Sequence, residues 1–569
     1  MKWPLPGWIR HYHARHLPHD AIASITLMVL LIPQGLAYAL LAGMPPQAGL
    51  YASIFPALLY ALAGSSATLS VGPAALPAMM TVITVSAVAT PFTPAYFGLA
   101  AAVALLSGLL RLVLGVLRFG FMANLLSQPV VGGFIAGSAF MIILTQVPNL
   151  LGIPAHGDTA WLLLLDIARR LPMLSRDSLL LSLGAFVMVL LIRYGLQALL
   201  HALKTPASLG QLLVKTAPVI VMILATLVVR FGHLSVKTIG PLPQGWQGMA
   251  LPDADWGLVL HMWPAILAIA LLGFVDSFSI AQTLAIKRRE NVSPDRELMA
   301  LGLANMGAGL TGGFPVSASF GRSAANEMAG AKTQLAGVLA AFGMLAILLA
   351  GGNLFVYLPV CVLGVTIVMA VSQMLDGSLL KLSFRYDRRD AFVYLATLLM
   401  VLFIGVVQAI LAGVVLSLAL FIWRTSQPHL ARLGRIPGTE HYRNVLRYQT
   451  ETRPDILIIR VDENLYFANI RFVQASVIHF LRQHPKTRSL LLVLSSVNML
   501  DVSALQGLQT LQAELQAQGV SLHLAEVKGP VMDKLQQSGF LDKLTGSVHL
   551  SIHAAVQALS HAEAPDFMI

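Results

Sequence analysis

Charge is what this sequence has least of. Only 11% of its 569 residues are Asp, Glu, Lys or Arg, while 56% are hydrophobic; soluble domains carry charge on roughly a quarter of their residues. Such a chain cannot clothe a water-facing surface, and a polytopic membrane protein is predicted. There is one cysteine, Cys361, in an apolar run. It excludes an intrachain disulfide and reads as a small buried hydrophobe. No metal-ligand cluster, nucleophile–base arrangement or GxxxxGK[ST] stretch occurs, so catalytic residues, a bound metal, an organic cofactor and an ATP-driven pump are not expected. Acids are scarcer than bases, 26 against 37, giving a net charge of +11. That excess reads as orientation signal and contact with anionic lipid, not as nucleic-acid binding.

What is present is a series of long apolar runs. Seven fall near 22–40, 47–64, 74–90, 95–118, 128–149, 178–200 and 215–232, and seven more near 258–283, 295–312, 320–333, 334–351, 357–372, 388–405 and 407–424. The first run is long and lacks a small-residue cleavage pattern, so a retained helix is expected, not a signal peptide. With the N-terminus in the cytoplasm, most basic residues fall on that side, from Lys2, Arg10 and Arg15 through Lys204 and Lys215 to Lys381 and Arg385. The positive-inside rule is then met with both termini cytoplasmic in a cell inner membrane. An odd number of spans per half inverts the second half, so fourteen spans imply a 7+7 inverted repeat.

The third run of each half is the exception to the greasy pattern. "SATLSVGPAALPAMMT" (Ser66 to Thr81) and "GGFPVSASFGRSAANE" (Gly312 to Glu327) are short, Gly/Pro-interrupted and polar. Such a pair predicts two half-helices whose N-termini face each other near the midplane, offering unpaired N–H groups and partial positive charge to an anion. Ordinary kinks satisfied by neighbouring helices are the alternative. Gly72, Pro73 and Ala74 at the first half-helix, and Ser319, Phe320 and Gly321 at the second, are the expected close-approach positions, with proline tolerated where the first helical N–H is unpaired anyway. Arg322 follows one turn in, placed to balance an anion or a carboxylate. Gln34 and Tyr38, four apart on one helix face, suit the rim of a polar cavity or a helix-packing contact. Asp276 lies deep in an apolar run, where an acid must be paired or protonated; a coupling role and a structural ion pair with Arg322 both stay open.

From about 426 the composition turns polar. Residues 426–453 read as a linker, and "DILIIRVDENLYFAN", "SLLLVLSSVNMLDVSALQGL" and "VSLHLAEV" read as strands followed by helices, a small α/β domain over 454–560 with a tail at 561–569. A cytoplasmic segment, 1–20, precedes the transmembrane part, 21–425. Asp501 and Ser503 fall where a helix begins, as caps or, for Ser503, as a phosphorylation site.

"IPQGLAYALLAGMPPQAGLYASIFPALLYALAGSSATLSVGPAAL" resembles the opening signature of the SulP family of sulfate permeases and related anion transporters. "GFPVSASFGRSAANEMAGAKTQLAGV" is similar to its second-half signature, and "LYFAN" with "LDVSAL" to the STAS domain that ends such proteins. The resemblance implies a core domain with the anion site, a gate domain of helices 5–7 and 12–14, elevator-like movement, and a homodimer. It also implies a coupling-ion role for the acid at Asp276, and in related antisigma-factor-antagonist STAS domains the serine matching Ser503 is the phosphorylated one, which leaves a regulatory role for Ser503 open. Sodium-using relatives place a hydroxyl one turn later; Ile280 stands there, with Ser277 and Ser279 nearby, which favours protons over sodium. Proton-coupled sulfate uptake is therefore expected. The alternatives are sodium-coupled or exchange transport of bicarbonate or dicarboxylates, and a passive anion channel.

Overall fold

The structure, a computed structural model, describes residues 7–10, 12–124, 127–155, 157, 159–192, 217–232, 234–241, 248–350 and 355–561. Lys2, Lys204, Lys215, the end of the 178–200 run and most of the 561–569 tail lie outside the described residues. The chain divides into two compact units, Met1–Ser417 and Leu418–Ile569.

The first unit is helical. Its first half runs α1 (Leu17–Leu41), α2 (Pro46–Ala63), strand β1 (Val71–Gly72), α3 (Ala75–Ser86), α4 (Pro94–Val116), α5 (Gln128–Leu151), α6 (Ala160–Arg170), α7 (Arg176–Leu190) and α8 (Ala217–Gly232). The second half runs α9 (Trp263–Arg288), α10 (Pro294–Leu310), β2 (Ser317–Ala318), α11 (Phe320–Met328), α12 (Leu335–Ala350), α13 (Val360–Val371), α14 (Ser378–Tyr386), α15 (Arg388–Phe403) and α16 (Val406–Ser426), whose residues from Leu418 on are counted with the second unit. Each of the fourteen apolar runs carries a helix among the described residues. Among the described residues, five helical stretches have both the length and the hydropathy to cross a bilayer alone: Ala14–Leu41, Pro94–Val116, Gln128–Leu151, Trp263–Arg288 and Val360–Tyr386. Two of the helices α1–α16 fall outside the fourteen runs. α6 lies between the fifth and sixth runs, where Thr159 caps it by accepting from the Leu162 amide and its apolar face buries Ala160, Leu163 and Ile167; it meets α7 at a bend of 116°. α14 carries Lys381 and Arg385 and packs on α15.

The helices pack in two groups. α1, α2, α4 and α9–α12 contact one another, and α5, α7, α8, α13 and α15 form the other set. Small residues let the first group approach closely. A Cβ at Gly108 would stand 2.6 Å from the Gly302 carbonyl oxygen, and one at Gly302 2.8 Å from that of Gly108, so α4 and α10 touch backbone to backbone.

The second unit holds a six-stranded sheet of order β4-β3-β5-β6-β7-β8, built from β3 (Leu430–Arg435), β4 (Tyr442–Asn444), β5 (Ile456–Val461), β6 (Ser489–Val493), β7 (Ser521–Ala525) and β8 (Val548–His549). β5 to β8 are parallel, and β3 pairs antiparallel with both β4 and β5. Alternation along β5 sends Leu457, Ile459 and Val461 into one core, with α17 (Ile470–Gln483) and α18 (Val502–Ala517). Ile456 and Ile458 go into a second core, with Ile552 and Ala555 of the C-terminal helix. The stretch read as a linker therefore contributes two strands: Ala431 and Leu433 are buried while Arg432 and Arg435 are only half-buried.

Candidate functional site

Both polar interruptions fold as strand-then-helix. β1 and β2 pair antiparallel, Val71 opposite Ala318 and Gly72 opposite Ser317, and each is followed within three residues by a helix, α3 at Ala75 and α11 at Phe320. The two half-helix starts are thereby tied to one short ladder. Neither start is capped by a side chain, Ala74 and Ser319 occupying the N-cap positions. The first intrahelical bonds run from the Ala78 amide to the Ala74 carbonyl and from the Ser323 amide to the Ser319 carbonyl. Amides ahead of these have no intrahelical acceptor, namely those of Ala75 and Leu76 on one side and Phe320, Gly321 and Arg322 on the other.

The expected proline position is corrected by two residues. Pro73 precedes the N-cap instead of opening the helix, because Gly72 is held in the ladder. Pro73 contributes its carbonyl, not a missing N–H. That carbonyl accepts from Arg322 Nη1 at 2.7 Å, and the same nitrogen donates to Gln34 Oε1 at 2.8 Å. Arg322 Nε donates to Ser70 Oγ at 3.3 Å, while Nη2 is buried without a hydrogen-bond partner. Arg322 is fully buried and so joins α11 to α1 and to the strand before α3. Tyr38 is buried on the same helix as Gln34. Phe320 is exposed, and a Cβ added at Gly321 would meet nothing within 4 Å. The second half-helix therefore opens onto free space.

Asp276 sits in α9, half-buried, and Arg322 spends its bonds elsewhere; no ion pair joins the two. Its neighbour Ser277 is fully buried, donates to the Gly273 carbonyl at 2.6 Å and accepts from the Ala318 amide at 2.9 Å, fastening β2 to α9. Ser279 donates to the Val275 carbonyl. In the second unit, Asp501 caps α18 by accepting from the Ala504 amide at 2.7 Å, and Ser503 is exposed in the first turn.

Several supporting residues were missed. Arg111 of α4 is fully buried and donates to the carbonyls of Ala270 at 2.8 Å, Ile269 at 2.6 Å and Val316 at 3.5 Å. A cation in the middle of an apolar run was the available signal. Asn305 bonds both the amide and the carbonyl of Val316. Glu297 is fully buried and accepts from Tyr60, Ser65 and Ser66, and Asp20 accepts from the Lys332 and Thr333 amides. Both acids sit beside basic clusters and read as solvated charge in the sequence.

Two paired half-helices inside a multi-helix membrane unit, followed by a small α/β unit, have a counterpart among known families. The sulfate permease family model matches residues 17–397, and the STAS domain model matches 447–555. The chain belongs to the sulfate permease family. It is 32% identical to the chloroplastic sulfate transporter 4.1 of Arabidopsis thaliana over 577 residues, covering 98% of this chain and 82% of that protein. It is 31% identical to a probable sulfate transporter of Mycobacterium tuberculosis, covering 97% of each. Its fold is similar to that of SLC26A9, with a TM-score of 0.88 at 22% identity over 99% of this chain and 94% of that one. The transmembrane domain of the cyanobacterial bicarbonate transporter BicA matches with a TM-score of 0.60 at 20% identity, over 71% of this chain and 98% of that one. As a sulfate permease family member, the chain is a multi-pass membrane transporter of anions and not an enzyme.

Proposed function

We propose that this protein takes up sulfate together with protons, holding the anion between the starts of α3 and α11 and carrying it by elevator-like movement of one helix group against the other. The observation that carries the reading is the β1–β2 ladder, which brings two uncapped helix N-termini together. Each contributes about half a positive charge and free amides. Sulfate is favoured by the names of the relatives that align over nearly the whole chain.

Proton coupling rests on Asp276. The hydroxyls nearest to it in sequence, Ser277 and Ser279, are engaged by helix carbonyls, and Ser277 also accepts from Ala318. Ile280 occupies the following turn. Sodium would need several oxygen ligands, whereas a proton needs only the carboxylate. The remaining parts of the reading are fourteen spans in a cell inner membrane, both termini and the STAS domain in the cytoplasm, and a homodimer.

The test is uptake of labelled sulfate, bicarbonate and fumarate into proteoliposomes with pH and sodium gradients imposed separately. Sulfate accumulation driven by outside acid, and lost in Asp276→Asn while sulfate binding persists, is the expected result. Accumulation driven by sodium, or retained pH-driven accumulation in Asp276→Asn, contradicts it.

A further inference from the structure

Among the described residues the membrane unit holds two fully buried arginines, and only one of them belongs to the half-helix site itself. Arg111 comes from α4 and reaches the site from behind. All its acceptors are main-chain carbonyls: Ala270 and Ile269 of α9, and Val316, the residue before β2. Its guanidinium lies against Gly273, where any Cβ would collide with Nη2. No carboxylate neutralises it among the described residues. Asp276 lies one turn beyond Gly273 on α9, and no ion pair joins it to Arg111. A guanidinium stays charged even when buried. The carbonyls therefore give each guanidinium nitrogen an acceptor, and no ion pair neutralises its unit charge.

That charge is close to the place where the anion is proposed to sit. Val316 is three residues before Ser319, the N-cap of α11, and an extended chain advances about 3.3 Å per residue, so the Val316 carbonyl lies within about 10 Å of the helix start. A unit charge at that range, with an effective dielectric near 20, alters the affinity for a monovalent anion by roughly tenfold. Coulomb energy scales with the ligand's charge, so the effect on a divalent anion is roughly a hundredfold.

We propose that Arg111 is a specificity-determining residue: its charge, paired with no carboxylate and fixed by main-chain carbonyls in α9 and just before β2, acts through space on the bound anion and favours divalent over monovalent anions. The inference rests on the reading that the anion occupies the half-helix starts. Arg111 touches no ligand; it also positions β2 against α9, and the two roles separate experimentally because only the charge discriminates between anions.

The experiment measures equilibrium binding of labelled sulfate, and its displacement by chloride, on the purified full-length chain. Arg111→Gln is expected to weaken chloride about tenfold and sulfate about a hundredfold, while Arg111→Lys keeps both within about threefold. Equal losses for the two anions in a folded Arg111→Gln protein, or a Lys variant as impaired as the Gln variant, overturn the proposal. If Arg111→Gln does not fold, Arg111→His provides the comparison: its sulfate-over-chloride preference should fall as pH rises from about 5.5 to 8 and the imidazole loses its charge. A preference with the same pH dependence as wild type overturns the proposal. Wild-type protein that binds neither anion removes the site reading as a whole, whereas charge-independent losses from a wild type that binds both remove only the role of Arg111.

Discussion

Gly321 is the second residue of α11 and borders free space, so a side chain there would enter the proposed anion site without meeting the protein. Gly321→Glu is therefore expected to fold normally and to abolish anion binding, since the carboxylate places a negative charge where the anion's charge should lie. Glu297 predicts the opposite pattern. It accepts hydrogen bonds from Tyr60, Ser65 and Ser66 inside the bundle, and Glu297→Ala strands those donors at roughly 1–3 kcal/mol for each one left unpaired. A clear loss of thermal stability is expected, mostly recovered in Glu297→Gln, which keeps one acceptor oxygen; thermal melting of the purified protein reads the difference. Sequence revealed these two positions unequally. Gly321 stands out because glycine interrupts a polar stretch inside an apolar chain. Glu297 sits beside Arg296 and looks like surface charge until the Ser65–Ser66 turn is seen to fold over it.

The β1–β2 ladder is only two residues per strand, too short to persist by itself. It is held along β2, by Ser277 on the Ala318 amide and by Arg111 and Asn305 on the adjacent Val316. Ser277→Ala leaves a buried amide unpaired at a cost of about 1–3 kcal/mol. Sulfate binding should weaken in that variant, and Ser277→Thr should largely restore it. Reduced binding that Thr fails to recover would point to packing, not to the hydroxyl. The half-helices were legible because Gly, Pro and small polar residues break an otherwise continuous apolar pattern. Strands β3 and β4 were not, since β3 alternates through Ala431 and Leu433 among arginines and a glycine, and β4 spans three residues. Their inward-facing pattern is present but too weak to separate from a basic linker.

At the scale of the molecule, the STAS unit encloses two apolar cores of its own and should fold when expressed from 418 onward. Its stability should depend on pH with a defined sign. The side-chain hydrogen bond from Arg453 holds the Asp455 carboxyl below its ordinary range, so that contribution is complete above about pH 4 and is lost as pH falls through the lower folded value. Burial, assisted by His549, lowers His523 from its ordinary 6.5. The unfolded chain then binds protons that the folded one refuses, and stability declines as pH drops below about 6.5. Melting temperatures across pH 8 to 4 should fall steadily toward acid, and His523→Gln should flatten the upper part of that slope. The membrane unit should still transport without the STAS unit, at a reduced rate. Complete loss in a well-inserted chain ending near Arg424 would make the STAS unit part of the transport cycle.

The central claim is that two helix starts joined by one short ladder bind the transported anion. Equilibrium binding of labelled sulfate to purified wild-type and Gly321→Glu protein, each shown to be folded by its melting transition, tests it most directly. Saturable binding in wild type and none in the variant is the predicted result; normal sulfate affinity in folded Gly321→Glu would contradict it.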